Sequence, residues 1–436
     1  MKITTAKPSI KISLLLILGT LLLGSFSICR QNQTGKHVLP NSHNYHTSNY
    51  RNLFLEAGYS QSEIDKKIEK AYYDLFKGPH HIYFEVGDSM AYISDLKNHD
   101  VRTEGLSYGM MIAVQLNKKD VFDRIWRWSK KYLQHQDGPR RGYFAWSYNP
   151  KTMKRNSEGS ASDGELYYIT SLLFAANRWG NYTGINYYAE ARNILDAMWK
   201  KDGTGNIYNL INIEHKQITF VPEGNGYNWT DPSYHVPAFY EIWAEYAKDG
   251  HEQFYRDCAD TSRIFLHRAC HPATGLNPDY TEFSGNPHPT PWISPEFRYD
   301  SWRVPMNIAM DYVWYGKDKT WQEDYAARFQ NFLRSKGIDS FEDQFKLDGS
   351  KPDFVLPAGN YRKLRHSLGL VATSASASLI SVNNSQENFD FVHTLWNAKL
   401  EPYEDGYFDP YYDGLLYLFS LIHLSGKYQI VTPKHN

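Results

Sequence analysis

Three acidic residues in this chain share one context: each stands at the start of an apolar helical run. Glu104 lies in TEGLSYGMMIAVQ, Asp163 in ASDGELYYITSLLF and Asp300 in YDSWRVPMNIAM. A carboxylate at a helix N-terminus is stabilised by the helix dipole, which accounts for any one of them taken alone. Three on separate helices fit a further use. Glycoside hydrolysis needs one protonated carboxylic acid for the leaving oxygen and one carboxylate as base or nucleophile. Burial or a neighbouring carboxylate keeps such an acid protonated near neutral pH.

The first of these stretches also carries a competing motif. Gly105-Leu-Ser-Tyr-Gly109 fits G-x-S-x-G, the nucleophile elbow of serine hydrolases. That elbow requires a buried strand before the serine and a helix after it. The helix is expected from Met110 to Leu116. The preceding Asp95-Leu-Lys-Asn-His-Asp-Val-Arg102 is too polar for a central strand, and no parallel α/β pattern occurs elsewhere. Ser107 is therefore read as a first-turn helix serine bonding locally, and Glu104 as the residue that does chemistry.

The elements that must position these acids are helices. Ser60 and Glu63 form a capping box ahead of Ile64, Ile68, Tyr72 and Leu75. Further apolar faces are Phe122, Ile125, Trp126, Ser129 and Leu133; Tyr188, Ala191, Leu195 and Met198; and Phe239, Trp243 and Tyr246, with a stop near Gly250. Trp321, Tyr325, Phe329 and Phe332 end at Gly337, a C-cap position. About twelve such segments run from Ser60 to Leu424, while strand-like alternation is short (81–86 and 217–221). No linker and no short-period repeat divides the chain. An all-α toroid of six inner and six outer helices fits this count, with active residues at helix N-termini and loops of one end.

Composition narrows the function classes. The 436 residues carry a net charge of −1, which gives no electrostatic case for nucleic acid. Aromatic content is 16 %, with 34 Tyr and 12 Trp, compatible with a large core or with a ligand cleft whose flat faces and phenol hydroxyls suit sugars. Lys2, Lys7 and Lys11 precede the apolar run Ile12 to Leu23, the pattern of an export signal. Cys29 follows Phe26-Ser-Ile, an imperfect lipidation site. Residues 1–30 are thus expected to be a signal, 31–50 an N-terminal segment and 51–430 one catalytic domain. Cys258 and Cys270 lie twelve positions apart along one expected helix, roughly 18 Å, too far for a disulfide. The pairs His43/His46 and His80/His81 read as surface histidines.

Beyond these arguments, the chain resembles glycoside hydrolase family 8. Glu104 with SYGMMIAVQ resembles that family's acid motif. Ala161 to Trp179 resembles its signature through Ala161, Ser162, Asp163, Gly164, Ser171, Ala175 and Trp179, departing at Glu165, Tyr168 and Ile169. The stretches EAGYSQSEIDKKIEKAYYDLF and VGDSMAYI resemble the branch that releases xylose from reducing ends. The likeness runs from about Asn52 to Tyr411-Tyr-Asp-Gly-Leu-Leu-Tyr-Leu-Phe419. It implies an (α/α)6 barrel and an inverting mechanism, with Glu104 as general acid, Asp300 as general base and Asp163 holding the sugar at the cleavage subsite. Trp146, Tyr234 and Arg303 match subsite partners. His366, in Leu364-Arg-His-Ser-Leu-Gly-Leu370, matches a loop histidine that binds the reducing-end hydroxyl. Arg365 and Ser367 replace the usual Leu and Pro, and loss of proline is expected to loosen this loop.

The expected partner is accordingly a xylo-oligosaccharide, acted on by a monomer with no cofactor or metal, exported and touching membrane only through a lipid on Cys29. The alternatives are an endo-acting xylanase or other β-glycanase of the same family, a glycan-binding lipoprotein without catalysis, and a serine esterase.

Overall fold

Residue pattern and helix position correspond closely. In the computed structural model, which describes residues 50–433 apart from 183, 290–295, 354, 356–362 and 381–385, a short α1 (Leu53–Glu56) precedes two interleaved sets of helices. In chain order they are α2 (Gln61–Phe76), α3 (Thr103–Gln115), α4 (Lys119–Tyr132), α5 (Ser162–Trp179), α6 (Tyr187–Trp199) and α7 (Pro237–Tyr246). They continue with α8 (Glu252–Ala269), α9 (Arg303–Trp314), α10 (Lys319–Ser335), α11 (Leu368–Ser376), α12 (Gln386–Asn397) and α13 (Tyr412–Leu424).

The odd-numbered helices from α3 onward are buried on every face. In α3 every residue from Gly105 to Gln115 is buried, and in α13 every residue from Asp413 to Leu424. Their sequences are apolar or small all round, as helices enclosed by other helices must be. The even-numbered helices bury one stripe only; α2 buries Ile64, Ile68, Ala71, Tyr72, Leu75 and Phe76 behind the expected Ser60–Glu63 capping box. Neighbour contacts run α3–α5–α7–α9–α11–α13 and back to α3, closing a ring, with α4, α6, α8, α10, α12 and α2 each packed outside one member. This is the (α/α)6 barrel.

Small side chains set the spacing where the site forms. A Cβ on Gly164 would lie 2.5 Å from the Cβ of Thr103, so the first turns of α3 and α5 touch almost backbone to backbone. A Cβ on Gly105 would lie 2.3 Å from the Tyr411 ring, whose hydroxyl accepts the Gly105 N–H at 2.9 Å. The glycines of G-x-S-x-G therefore serve helix packing. Ser107 is buried and its Oγ donates to the Glu104 carbonyl at 3.0 Å, a local bond of the expected kind.

Strands are short. β1 (Tyr83–Val86) pairs antiparallel with β2 (Met90–Ile93). β3 (Val101–Arg102), β4 (Ser147–Asn149) and β5 (Lys154–Ser157) form an antiparallel sheet, so a strand does lead into α3, but only as a two-residue edge. The expected strand over 217–221 shrinks to β7 (Gln217–Ile218), paired with β6 (Ile211–Asn212). Cys258 sits in α8 and Cys270 caps its end; both are free and buried. The export segment, Cys29, His43 and His46 lie outside the described residues.

Candidate active site

Inner helices alternate with antiparallel outer ones, so all six inner N-termini meet at one end of the barrel. Glu104 is the second residue of α3, Asp163 the second of α5 and Arg303 the first of α9. Asp300 lies in a 3-10 turn, Tyr299–Trp302, that leads directly into α9. Tyr234 ends another such turn, Pro232–Tyr234, just before α7.

One guanidinium organises the group. Arg303 Nη1 lies 2.9 Å from Glu104 Oε2, 3.0 Å from the Tyr108 hydroxyl and 3.2 Å from Asp163 Oδ2. Its Nη2 donates to Ser233 Oγ at 2.7 Å and lies 3.1 Å from Asp300 Oδ1. Glu104 and Asp300 thus meet different nitrogens of the same cation. The Tyr234 ring lies 5.4 Å from the Arg303 guanidinium carbon, a cation–π contact. The Tyr412 hydroxyl donates to the Tyr299 carbonyl at 2.9 Å and approaches Asp300 Oδ1 at 3.4 Å. Tyr299 has φ +35, a strained value for a non-glycine residue, next to the acid it presents.

Exposure separates the two candidate catalytic acids. The Asp300 side chain is 29 % exposed and that of Glu104 15 %, while Arg303 is 2 % exposed. Burial pushes the Glu104 carboxyl up to about 7; Arg303 opposes this, and Asp163 and Asp300 add to it. Burial likewise raises Asp163, against the pull of Arg303. The site therefore contains a carboxyl that retains its proton near neutrality beside one reached by solvent.

Of the residues expected from sequence, Glu104, Asp163, Asp300, Arg303 and Tyr234 come together. Trp146 stands one step away: its carbonyl accepts the Thr103 N–H at 3.0 Å and its ring lies 5.6 Å from the Arg102 guanidinium. His366 is not among the Arg303 contacts. Its Nδ1 is 2.9 Å from the Phe341 carbonyl, and it borders a groove with Asp339, Leu368 and His393.

At the site of the missing proline the loop is held by polar contacts. Arg365 pairs with Asp405 at 2.6 Å and lies over the Tyr407 ring at 4.3 Å. Ser367 donates to Asp343, the Leu368 N–H to the Tyr403 hydroxyl and the Gly369 N–H to Asp413. Polar side chains supply here the restraint a proline would have given the backbone. The anchored segment flanks the base side of the site, since Arg365 and Ser367 share a small cavity with Tyr299 and Tyr412.

Sequence reasoning missed Tyr108, Ser233, Asp231 and Tyr412. Tyr108 had a signal, lying four positions after Glu104 on one helical face. Ser233 and Asp231 belong to the same D-P-S-Y stretch as Tyr234. Nothing local marked Tyr412 as a neighbour of Asp300.

An (α/α)6 barrel with carboxyls clustered on a buried arginine at one end supplies the paired acids that glycoside hydrolysis needs. Residues 90–341 match the sequence profile of glycosyl hydrolases family 8, and the chain belongs to that family. It is 38 % identical over 392 residues to a reducing-end xylose-releasing exo-oligoxylanase of Paenibacillus barcinonensis, covering 88 % of this chain and 98 % of that one. It is 39 % identical over 394 residues to the enzyme of the same description from Halalkalibacterium halodurans, covering 89 % and 96 %. A solved structure of a variant of the Paenibacillus enzyme, complexed with an arabinofuranosyl-xylotetraose, superposes with a TM-score of 0.81 at 37 % identity, covering 90 % of this chain and 99 % of that one.

Proposed function

We propose that the protein removes xylose from the reducing end of xylo-oligosaccharides by single-displacement, inverting hydrolysis. The observation that carries the mechanism is the bridging of Glu104 and Asp300 by Arg303, with Glu104 held protonated near neutrality. Glu104 donates its proton to the glycosidic oxygen as the bond breaks. Asp300 takes a proton from the water that attacks the anomeric carbon from the opposite face. An inverting pair stands about 6.5–9.5 Å apart to admit that water, and the same separation is expected of Glu104 and Asp300, which meet separate nitrogens of Arg303. Asp163 engages the hydroxyls of the sugar at the cleavage point, and Tyr234 and Trp146 supply aromatic surface to the subsites.

The substrate reading is supported by the descriptions of three relatives, at 36–39 % identity, as reducing-end xylose-releasing exo-oligoxylanases. Exo action is further supported by the anchoring of residues 363–369 beside Asp300, which suits a cleft closed beyond one sugar. In this reading His366 meets the reducing-end hydroxyl. We also propose export through the N-terminal segment, with acylation at Cys29; mass spectrometry of the mature N-terminus tests both.

The test is product analysis on xylotriose, xylotriose reduced at its terminal unit, and polymeric xylan. Xylose from the first alone is expected, with NMR showing the α-anomer at the newly formed end of xylobiose. Depolymerisation of xylan would move the assignment to an endo-acting xylanase.

A further inference from the structure

Asp231 differs from the other carboxyls of this cluster in having a buried oxygen that no donor serves. Its side chain is fully buried. Oδ1 accepts the Ser233 N–H at 2.7 Å and so caps the turn before α7. Oδ2 has no hydrogen-bond partner among the described residues. Its nearest cation is Arg303 Nη2 at 4.0 Å, but that nitrogen donates to Ser233 Oγ at 2.7 Å and lies closer to Asp300 Oδ1, at 3.1 Å. By contrast Asp279 is served by the Ser301 hydroxyl at 2.9 Å, with Arg298 at 3.7 Å.

The charges facing Asp231 make ionisation costly. Asp300 stands on the turn before α9, Asp279 on the adjoining loop, and Arg303 is the opposing cation, already shared with Glu104, Asp163 and Asp300. Tyr234 and Tyr280 complete the surroundings. A buried carboxyl without a cation of its own stays neutral, and burial with the Asp300 charge pushes Asp231 well above the usual range. With Oδ1 committed as acceptor, the proton resides on Oδ2, which flanks the same Arg303 nitrogen as Asp300.

We propose that Asp231 is a positioning residue for the hydrolytic base: held neutral, it donates its Oδ2 hydroxyl through one bridging water to Asp300 and so keeps Asp300 ionised among other acids. This rests on the assignment of Asp300 as base. A hydrogen bond given to the charged form of an acid favours that form. The acid limb of the kcat/KM profile, which reports the base of the free enzyme, is then set partly by Asp231.

The experiment compares kcat/KM against pH on xylotriose for Asp231→Ser and Asp231→Asn. Serine keeps an N-cap oxygen but removes Oδ2, whereas asparagine keeps a donor at that position. The expected result is an acid limb raised by about one pH unit in Asp231→Ser, from loss of a hydrogen bond to a charged group. In Asp231→Asn the limb stays in place, with a smaller fall in kcat. A limb lowered in both variants shows that Asp231 is ionised, and an unmoved limb in both shows a purely structural role; either result overturns the proposal. Infrared difference spectra of wild type against Asp231→Asn at pH 6 give a second reading that does not need the serine variant to fold. A protonated-carboxyl band in the wild type supports the proposal, and a carboxylate band overturns it. Asp300→Asn separates the two levels: retained turnover refutes the base assignment, whereas lost turnover with an unmoved limb in Asp231→Ser refutes only the role of Asp231.

Discussion

Replacing Arg303 with methionine removes the one cation that Glu104, Asp163 and Asp300 share while leaving much of its volume filled. Arg303 is the strongest factor opposing the rise of the Glu104 carboxyl, which burial otherwise drives. For unit charges about 4 Å apart at an effective dielectric of about 20, the lost attraction is about 4 kcal/mol. Glu104 keeps 15 % exposure, so solvent screens part of this. A rise of roughly one to two pKa units is expected, at about 1.4 kcal/mol per unit. Turnover by a general acid requires its proton, so activity falls as pH rises through its pKa. The alkaline limb of kcat/KM, expected near 7 in the wild type, therefore moves to about 8–9 in Arg303→Met. Removing one partner of a buried ion pair costs about 3–5 kcal/mol of stability, so circular dichroism and a melting curve must accompany the rate profile. The assay is xylose release from xylotriose between pH 5 and 10. An alkaline limb that stays put or moves to lower pH in a folded variant refutes the reasoning.

Glu104→Gln is expected to lose about 10²–10⁴-fold in kcat on xylotriose, the usual range for general acid–base catalysis, and to lose the alkaline limb with it. Ser107→Ala is expected to stay within about twofold of wild type, because its hydroxyl only bonds the Glu104 carbonyl; a hundredfold loss would restore the nucleophile-elbow reading. Gly105→Ala drives a methyl into the Tyr411 ring and is expected to cost about 1–3 kcal/mol, read as a lowered Tm. Glu165, buried with its carboxyl pushed up to about 8 from an ordinary 4.5, folds preferentially in its neutral form. Its contribution is therefore full below about pH 4.5 and is lost as pH rises through 8, by at most about 5 kcal/mol. Glu165→Gln should flatten the fall of Tm between pH 6 and 9.

The fold was largely legible because its information is local. A helix enclosed on all sides must be apolar or small all round, and an outer helix must be striped; α3 and α13 read the first way, α2 and α4 the second. The capping box at Ser60 and Glu63 formed as read. The strands were less legible, because β3 and β7 are two-residue pairings imposed by neighbours and carry no periodicity. The restraints on the loop around Arg365 were not legible for a related reason. Proline acts through its own backbone, so its absence is visible in sequence, whereas Asp405, Asp343, Tyr403 and Tyr407 restrain that loop from distant positions.

The candidate site divides along the same line. Sequence alone determined which residues could carry a proton, since Glu104, Asp163 and Asp300 each sit where an inner helix begins, and helix starts are written locally. Tertiary structure decided how each acid is placed and charged. Only the closed ring of inner helices brings residues about two hundred positions apart onto one guanidinium, buries Glu104 more than Asp300, and leaves one oxygen of Asp231 without a donor. Those differences arise from burial and from the distances between charges, quantities that a carboxylate acquires only from its neighbours in the folded chain.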